Sequence, residues 1–150
     1  MLLRSNSDIN VQDICDETPL HWAVRFNKIP AVECIAKHCK IHKPSEAIEI
    51  TNNQGETALH LAACLGHSVA LSVLMKYNAN LSATDNNGNT VLHLAVYNNQ
   101  SDVVEVILLV KNLKTSGITN VKNKLGYTAR QLAVLAENNE LVTMFDSWAG

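Results

Sequence analysis

The sequence predicts an all-α solenoid of about four stacked units, each a turn, a helix, a second turn and a second helix. Three observations predict it. A phrase recurs as Thr18-Pro19-Leu20-His21, Thr57-Ala58-Leu59-His60, Thr90-Val91-Leu92-His93 and, degraded, Thr128-Ala129-Arg130-Gln131, its threonines 39, 33 and 38 residues apart. Repetition at such a period is the mark of an array in which each unit buries its apolar faces against its neighbours. A turn signature precedes every phrase, and apolar residues at three-and-four spacing follow it.

The turns read Asp13-Ile14-Cys15-Asp16, Asn52-Asn53-Gln54-Gly55, Asp85-Asn86-Asn87-Gly88 and Asn123-Lys124-Leu125-Gly126. An opening Asp or Asn supplies a side-chain acceptor, and the glycine in three of the four takes positive φ without strain. Asp16 replaces it in the first unit, where an aspartate in the left-handed region predicts a slightly strained turn. Each threonine then caps a short helix, and Pro19 at the first helical position loses no needed N–H. The inward stripes of these first helices are Leu20, Ala23 and Val24, then Leu59, Ala62 and Ala63, then Leu92, Ala95 and Val96, with alanines admitting close helix packing.

Second helices follow, carrying Val32 and Ile35, Leu71 and Leu74, Val103, Val104, Ile107 and Leu108, and Leu141, Val142 and Phe145. Pro30 falls in the first turn of its helix, where it is tolerated. Two insertions, at about 37–49 and 111–122, lengthen the first and third units between the second helix and the next turn. The expected division is 1–12 as the end of a partial or capping unit, 13–51, 52–84, 85–122, and 123–150 as a C-terminal cap.

The run Gly55-Glu56-Thr57-Ala58-Leu59-His60-Leu61-Ala62-Ala63, followed by Gly66-His67, resembles the ankyrin repeat motif almost letter for letter, and the resemblance extends over essentially the whole chain. It implies an L-shaped stack with β-hairpin tips and a concave face formed by the tips and first helices. At the start, Leu2-Leu3 and Asn6 to Asn10 align with the close of a repeat and its outgoing hairpin, as in a longer array or an abbreviated cap. At the other end Arg130 and Gln131 stand where the family keeps leucine and histidine, which suits a terminal repeat with one face in water, with Trp148 folding back on the last helix.

Composition narrows the function. Over 150 residues, 47% hydrophobic and 17% charged content with a net charge of −2 fits a folded globular protein rather than a disordered or strongly nucleic-acid-binding one. Nothing resembles a secretory signal, and no apolar run reaches the roughly 18 residues of a membrane span, so a cytoplasmic or nuclear setting without membrane insertion is expected. Cys15, Cys34, Cys39 and Cys64 form no CxxC pair and read as reduced thiols. Lys37, Lys40, Lys43, Lys111, Lys114, Lys122 and Lys124 gather seven of the twelve basic residues at the insertions, yet no aromatic residue interleaves with them for nucleic acid to stack on.

No phosphate-binding glycine loop, nucleophile elbow or HExxH pattern is present, so an enzyme, a cofactor and a small-molecule substrate are not expected. His21, His60 and His93 fall on the motif histidine, which the resemblance assigns to locking adjacent repeats rather than to catalysis or metal binding. Cys34, His38, Cys39 and His42 have a spacing that could suit zinc, but Cys34 aligns with Val73 and Val106 and reads as a small buried hydrophobe.

The expected activity is binding to another protein, by positions the scaffold leaves free. These are Ile14, Cys15, Glu17, Arg25 and Phe26; Asn53, Gln54, Glu56, Cys64 and Leu65; Asn86, Asn87, Asn89, Tyr97 and Asn98; and Lys124, Leu125, Tyr127, Leu135 and Ala136. Phe26, Leu65, Tyr97 and Leu135 stand at neighbouring heights as apolar anchors with amides around them, although Leu65 and Leu135 also fit between neighbouring helices. The insertions resemble those of inhibitor-of-NF-kappa-B-like proteins, which implies masking of a transcription factor. A regulatory segment of a larger enzyme or channel is the alternative. Asn10, in the spacing Leu2 to Asp8-Ile9-Asn10, resembles the asparagine that hydroxylases modify in ankyrin hairpins.

Overall fold

The computed structural model describes residues 11–42, 47–111 and 113–150, with backbone alone at 42. The proposed partial unit before residue 11, Asn10, Lys43 and the His42 side chain lie outside the described residues. Four first helices, α1 (Pro19–Arg25), α3 (Ala58–Leu65), α5 (Val91–Tyr97) and α8 (Ala129–Leu135), alternate with four second helices, α2 (Ile29–His42), α4 (Ser68–Lys76), α6 (Ser101–Leu108) and α9 (Asn139–Ala149). α1 packs on α3, α3 on α5 and α5 on α8, while α2 packs on α4, α4 on α6 and α6 on α9. The result is two helical layers, and the interface between successive units is the core.

Each first helix starts where its threonine stops the extended backbone. Thr18, Thr57, Thr90 and Thr128 are the N-caps, and their N–H groups reach the side chain of the residue three further on: the Nδ1 of His21, His60 and His93, and the Oε1 of Gln131 at 2.8 Å. Leu20, Val24, Leu59, Ala62, Leu92 and Ala95 face the interior as the spacing predicts, beside Val32, Ile35, Leu71, Leu74, Val103, Ile107, Leu141 and Phe145. At α8 the place of Leu20, Leu59 and Leu92 belongs to Arg130, which is exposed and pairs through Nε with Asp146 on α9 at 2.8 Å. Water-facing polarity at the last unit therefore agrees with its sequence.

The insertions turn out to be structural. Much of the first is helix, because α2 runs on to His42 and extends its inward stripe from Val32, Ile35 and Ala36 to Cys39. A single 3₁₀ turn, Ala47–Glu49, then buries Ala47 and Ile48. The second insertion forms α7 (Leu113–Ser116) and a 3₁₀ turn, Ile118–Asn120, whose Leu113 and Ile118 join the core. Trp148 packs against that core partly buried, with the Lys114 ammonium 5.5 Å above its ring. Cys34 departs from expectation: it is exposed, because it sits off the Val32, Ile35, Ala36, Cys39 stripe, at a position where Val73 and Val106 are only half-buried. The exposed Cys34 and buried Cys39 thus point away from a shared zinc site.

Candidate functional site

Four tips project beyond the first helices, all built by one device. In the second, Asn52 Oδ1 accepts the N–H groups of Gln54 and Glu56 at 3.0 Å each, and the Gly55 N–H closes the turn on the Asn52 carbonyl at 3.0 Å. Asp13, Asp85 and Asn123 repeat this arrangement. Hydrogen bonds from the Glu17 and Cys15 N–H groups and from the Trp22 indole hold the Asp13 carboxyl below its ordinary pKa, so it stays an acceptor. Among the described residues the tips form no strands, and one backbone bond joins each neighbouring pair: Asn53 N–H to the Cys15 carbonyl, Asn86 N–H to Gln54 and Lys124 N–H to Asn87, at 3.0–3.1 Å. The histidines tie the tips and their approaches from behind, with Nε2 donating to the carbonyls of Glu56 and Tyr127 and, just before the third tip, of Ala83 at 2.8–3.0 Å.

This lattice leaves a groove of about 680 Å³ between the tips and the first helices, lined by Asn53, Gln54, Glu56, Asp85, Asn86, Asn87, Asn89, Leu94, Tyr97, Asn98, Asn123, Lys124 and Leu125. Tyr97 and Leu125 stand on its rim, 69% and 74% exposed, and also line a neighbouring apolar hollow of about 290 Å³ with Val96, Tyr127, Leu132, Leu135 and Ala136. Ten of the twenty positions expected from sequence to be free for a partner meet in the larger groove, and Tyr127, Leu135 and Ala136 line the smaller.

The others divide. Phe26 caps α1, 58% exposed, and Leu65, Tyr97 and Leu135 end α3, α5 and α8, so all four apolar side chains surface at helix ends, with Leu65 only 39% exposed and Leu135 61%. Ile14 is fully exposed at the first tip. Glu17 and Glu56 differ from the expectation of free contact residues. Both are buried, Glu17 in an ion pair with Arg25 and Glu56 accepting from Asn52 Nδ2 at 3.1 Å, because a carboxylate tucked under a tip needs a donor beside it. Arg25 is correspondingly committed. Of the insertion lysines, Lys40 lies over Tyr77 and Lys114 over Trp148; Lys76 also lies over Tyr77, and both are bonded to Glu33.

Sequence reasoning passed over Trp22. It occupies the place of Leu61, Leu94 and Leu132, which are buried, yet is 43% exposed, stacked on Phe26 with centroids 5.4 Å apart and donating from its indole to Asp13 Oδ2 at 2.8 Å. The signal was its size: an indole with a polar edge in a leucine slot has to surface somewhere.

A family model described as ankyrin repeats in three copies matches residues 1–85 and 40–114. Rabankyrin-5 of Mus musculus is 31% identical over 134 residues, covering 84% of this chain and 11% of that protein. NF-kappa-B inhibitor alpha of Mus musculus is 30% identical over 82 residues, 55% of this chain and 26% of that protein. An ankyrin repeat-containing protein of Arabidopsis thaliana is 38% identical over 69 residues, 45% of this chain and 13% of that one. The chain thus spans about a tenth to a quarter of the length of these relatives. No helix among the described residues is long and apolar enough to cross a membrane. With its repeated caps, tips and histidine links, and a family match along most of its length, the chain belongs to the ankyrin repeat family, whose repeats are general protein–protein interaction modules.

Proposed function

We propose that this chain is a non-enzymatic binding module that presents its tip-and-first-helix surface, already ordered, to another protein. One observation carries the reading. Tyr97 and Leu125 stand exposed on the rim of a long groove whose walls are fixed by the turn, tip-to-tip and histidine bonds. Rigid apolar anchors with a polar surround bind without first ordering the binder's own backbone, which keeps more of the contact energy as affinity. The test is capture from the native source by wild type and by the Phe26→Ala, Tyr97→Ala double variant. The variant is expected to keep its helicity, to lose little melting temperature, that little from the Trp22 stack, and to retain much less partner. Equal capture by a folded double variant would refute the surface.

A second reading has its own support in the likeness to NF-kappa-B inhibitor alpha over 55% of the chain. On that reading the partner is the transcription factor NF-kappa-B, the setting is cytoplasmic or nuclear, and the mechanism is masking. Adding the chain to NF-kappa-B bound to its DNA should then release the DNA in a gel-shift titration.

A further inference from the structure

Asn87-Gly88 is the single Asn-Gly step in the 150 residues, and it lies in the turn of the third tip. The scaffold demands the glycine. Gly88 has φ 73°, its N–H closes the turn on the Asp85 carbonyl at 3.0 Å, and a Cβ there would lie 3.0 Å from the Lys124 nitrogen. No such demand falls on the side chain before it. Asn87 gives the scaffold its main chain alone, the N–H to Asp85 Oδ1 at 2.9 Å and the carbonyl to the Lys124 N–H at 3.0 Å. Its carboxamide is exposed, with no hydrogen-bond partner among the described residues. The other tips put Cys15, Gln54 and Leu125 at this place.

From this juxtaposition we infer that Asn87 is a site of spontaneous covalent modification, at which its carboxamide closes on the Gly88 nitrogen and becomes a carboxylate. The chemistry needs only water. The Gly88 nitrogen gives up its proton and bonds to Asn87 Cγ, the Cγ–Nδ2 bond breaks, and Nδ2 leaves with that proton as ammonia, so that a five-membered imide remains. Ring closure is intramolecular, and the glycine carries no side chain to hinder it. Water then opens the imide at either carbonyl: attack at Cγ yields aspartate, and attack at the main-chain carbon yields an isoaspartyl link, in which the chain runs on through Cβ and Cγ. One water enters and one ammonia leaves, with nothing oxidised or reduced. Gln54, which also precedes a glycine, would have to close a larger ring, and every other asparagine is followed by a residue with a side chain.

The fold restrains the reaction and is altered by it. While the Gly88 N–H stays on the Asp85 carbonyl its nitrogen is committed to the turn, so modification runs through opening of the tip and is slower than in the unfolded chain. Once it occurs, a carboxylate replaces an amide on the groove that Asn87 lines. The isoaspartyl link also adds a C–C bond of about 1.5 Å to the main chain inside the turn. The bonds that Asp85 accepts from the Gly88 and Asn89 N–H groups then lose their register, and the third tip opens.

The test ages the full folded chain for several weeks near neutral pH and follows its asparagines by peptide mass spectrometry, beside a sample unfolded in urea and the Asn87→Gln variant. That variant should fold, since Gln54 holds the same place in the second tip, and circular dichroism checks it. The expected result is a gain of about 1 Da, OH in place of NH2, at Asn87. It should run about tenfold or more faster than at Asn53 or Asn86, stay slower than in urea, and be absent from the third tip of the variant. In the isoaspartyl fraction, separated by chromatography, the Asn89 amide should exchange its hydrogen about tenfold or more faster than in the fresh chain. Asn53 or Asn86 reacting first, or Asn87 reacting only in urea, would overturn the site. Unchanged exchange at Asn89 in the isoaspartyl fraction would overturn the opening of the tip.

Discussion

His21 donates from Nε2 to the Glu56 carbonyl at 2.9 Å while its Nδ1 accepts the Thr18 N–H at 3.1 Å. One neutral ring therefore caps its own helix and holds the next unit's tip. His93 does the same between Thr90 and Tyr127, while His60, held between Thr57 and Ala83, ties the segment that leads into the third tip. The bonding fixes the tautomer, with the proton on Nε2, and a second proton on Nδ1 would face an N–H. Burial pushes all three imidazoles below their ordinary value; the opposing pull comes from the Glu56 carbonyl and the Glu17 and Glu56 side chains on His21, from Asp85 and the Ala83 carbonyl on His60, and from the Tyr127 carbonyl and Asp85 on His93, while Arg25 adds to the depression at His21.

Stability should consequently fall as the solution is acidified below about pH 6.5. A histidine whose folded pKa is depressed takes its proton more readily in the unfolded chain. Its stabilisation is complete above the unfolded value of 6.5 and is lost as pH falls toward and through the folded one. Urea midpoints at pH 7.5 and 5.5 measure this, and His60→Gln should flatten the difference, since glutamine retains the cap, as Gln131 does for Thr128 at 2.8 Å, but does not titrate. Glu49, whose carboxyl burial raises, works in the opposite sense at the acid end, so the comparison with His60→Gln is the cleaner readout. A profile unaffected by that substitution would contradict the histidine mechanism.

Two glycines with the same conformation should respond differently to alanine. Gly55 and Gly126 both have positive φ, 77° and 88°, so each Gly→Ala change costs about 1–2 kcal/mol from the left-handed backbone. A Cβ at Gly55 would also lie 2.8 Å from the Asn86 backbone nitrogen, the atom that bonds to Gln54, whereas a Cβ at Gly126 meets nothing within 4 Å. Gly55→Ala is expected to lose clearly more stability in urea unfolding than Gly126→Ala and to weaken the junction of the second and third tips. Equal losses would show that the tips can separate at no cost.

Repetition made the scaffold legible, because identical short-range chemistry recurs at Thr18, Thr57, Thr90 and Thr128 and each copy confirms the others. The site was legible to the extent that it copies the scaffold: Tyr97, Asn86 and Leu125 lie where their turn and helix positions put them. What escaped was set by side-chain contacts and a helix extension within single units, which the repeat pattern does not spell out. Glu17 looked free because its partner, Arg25, is eight residues away on the next helix, and Glu56 because its donor, Asn52, lies on the opposite side of the turn. Cys34, expected to be buried, is exposed, and Cys39 is buried because the stripe of α2 continues into the first insertion, which a comparison of aligned positions does not carry.

The insertions offer the sharpest test of that last point, since a loop and a core element predict different costs for the same substitution. Ile118 is 1% exposed and Leu113 3%, and the 3₁₀ turn that holds Ile118 packs on both α7 and α8. Truncating Ile118 to alanine removes three carbons from a site with neighbours on all sides, which typically costs 2–5 kcal/mol, about 3 here, while Ile118→Val should cost about 1 kcal/mol. Lys122→Ala, exposed in the same insertion, should stay within about 0.5 kcal/mol. Urea unfolding of the three variants would measure the series. If Ile118→Ala matched Lys122→Ala, the insertion would be a passive loop, and the joint between the third and fourth units would rest on α5, α8, α6 and α9 alone.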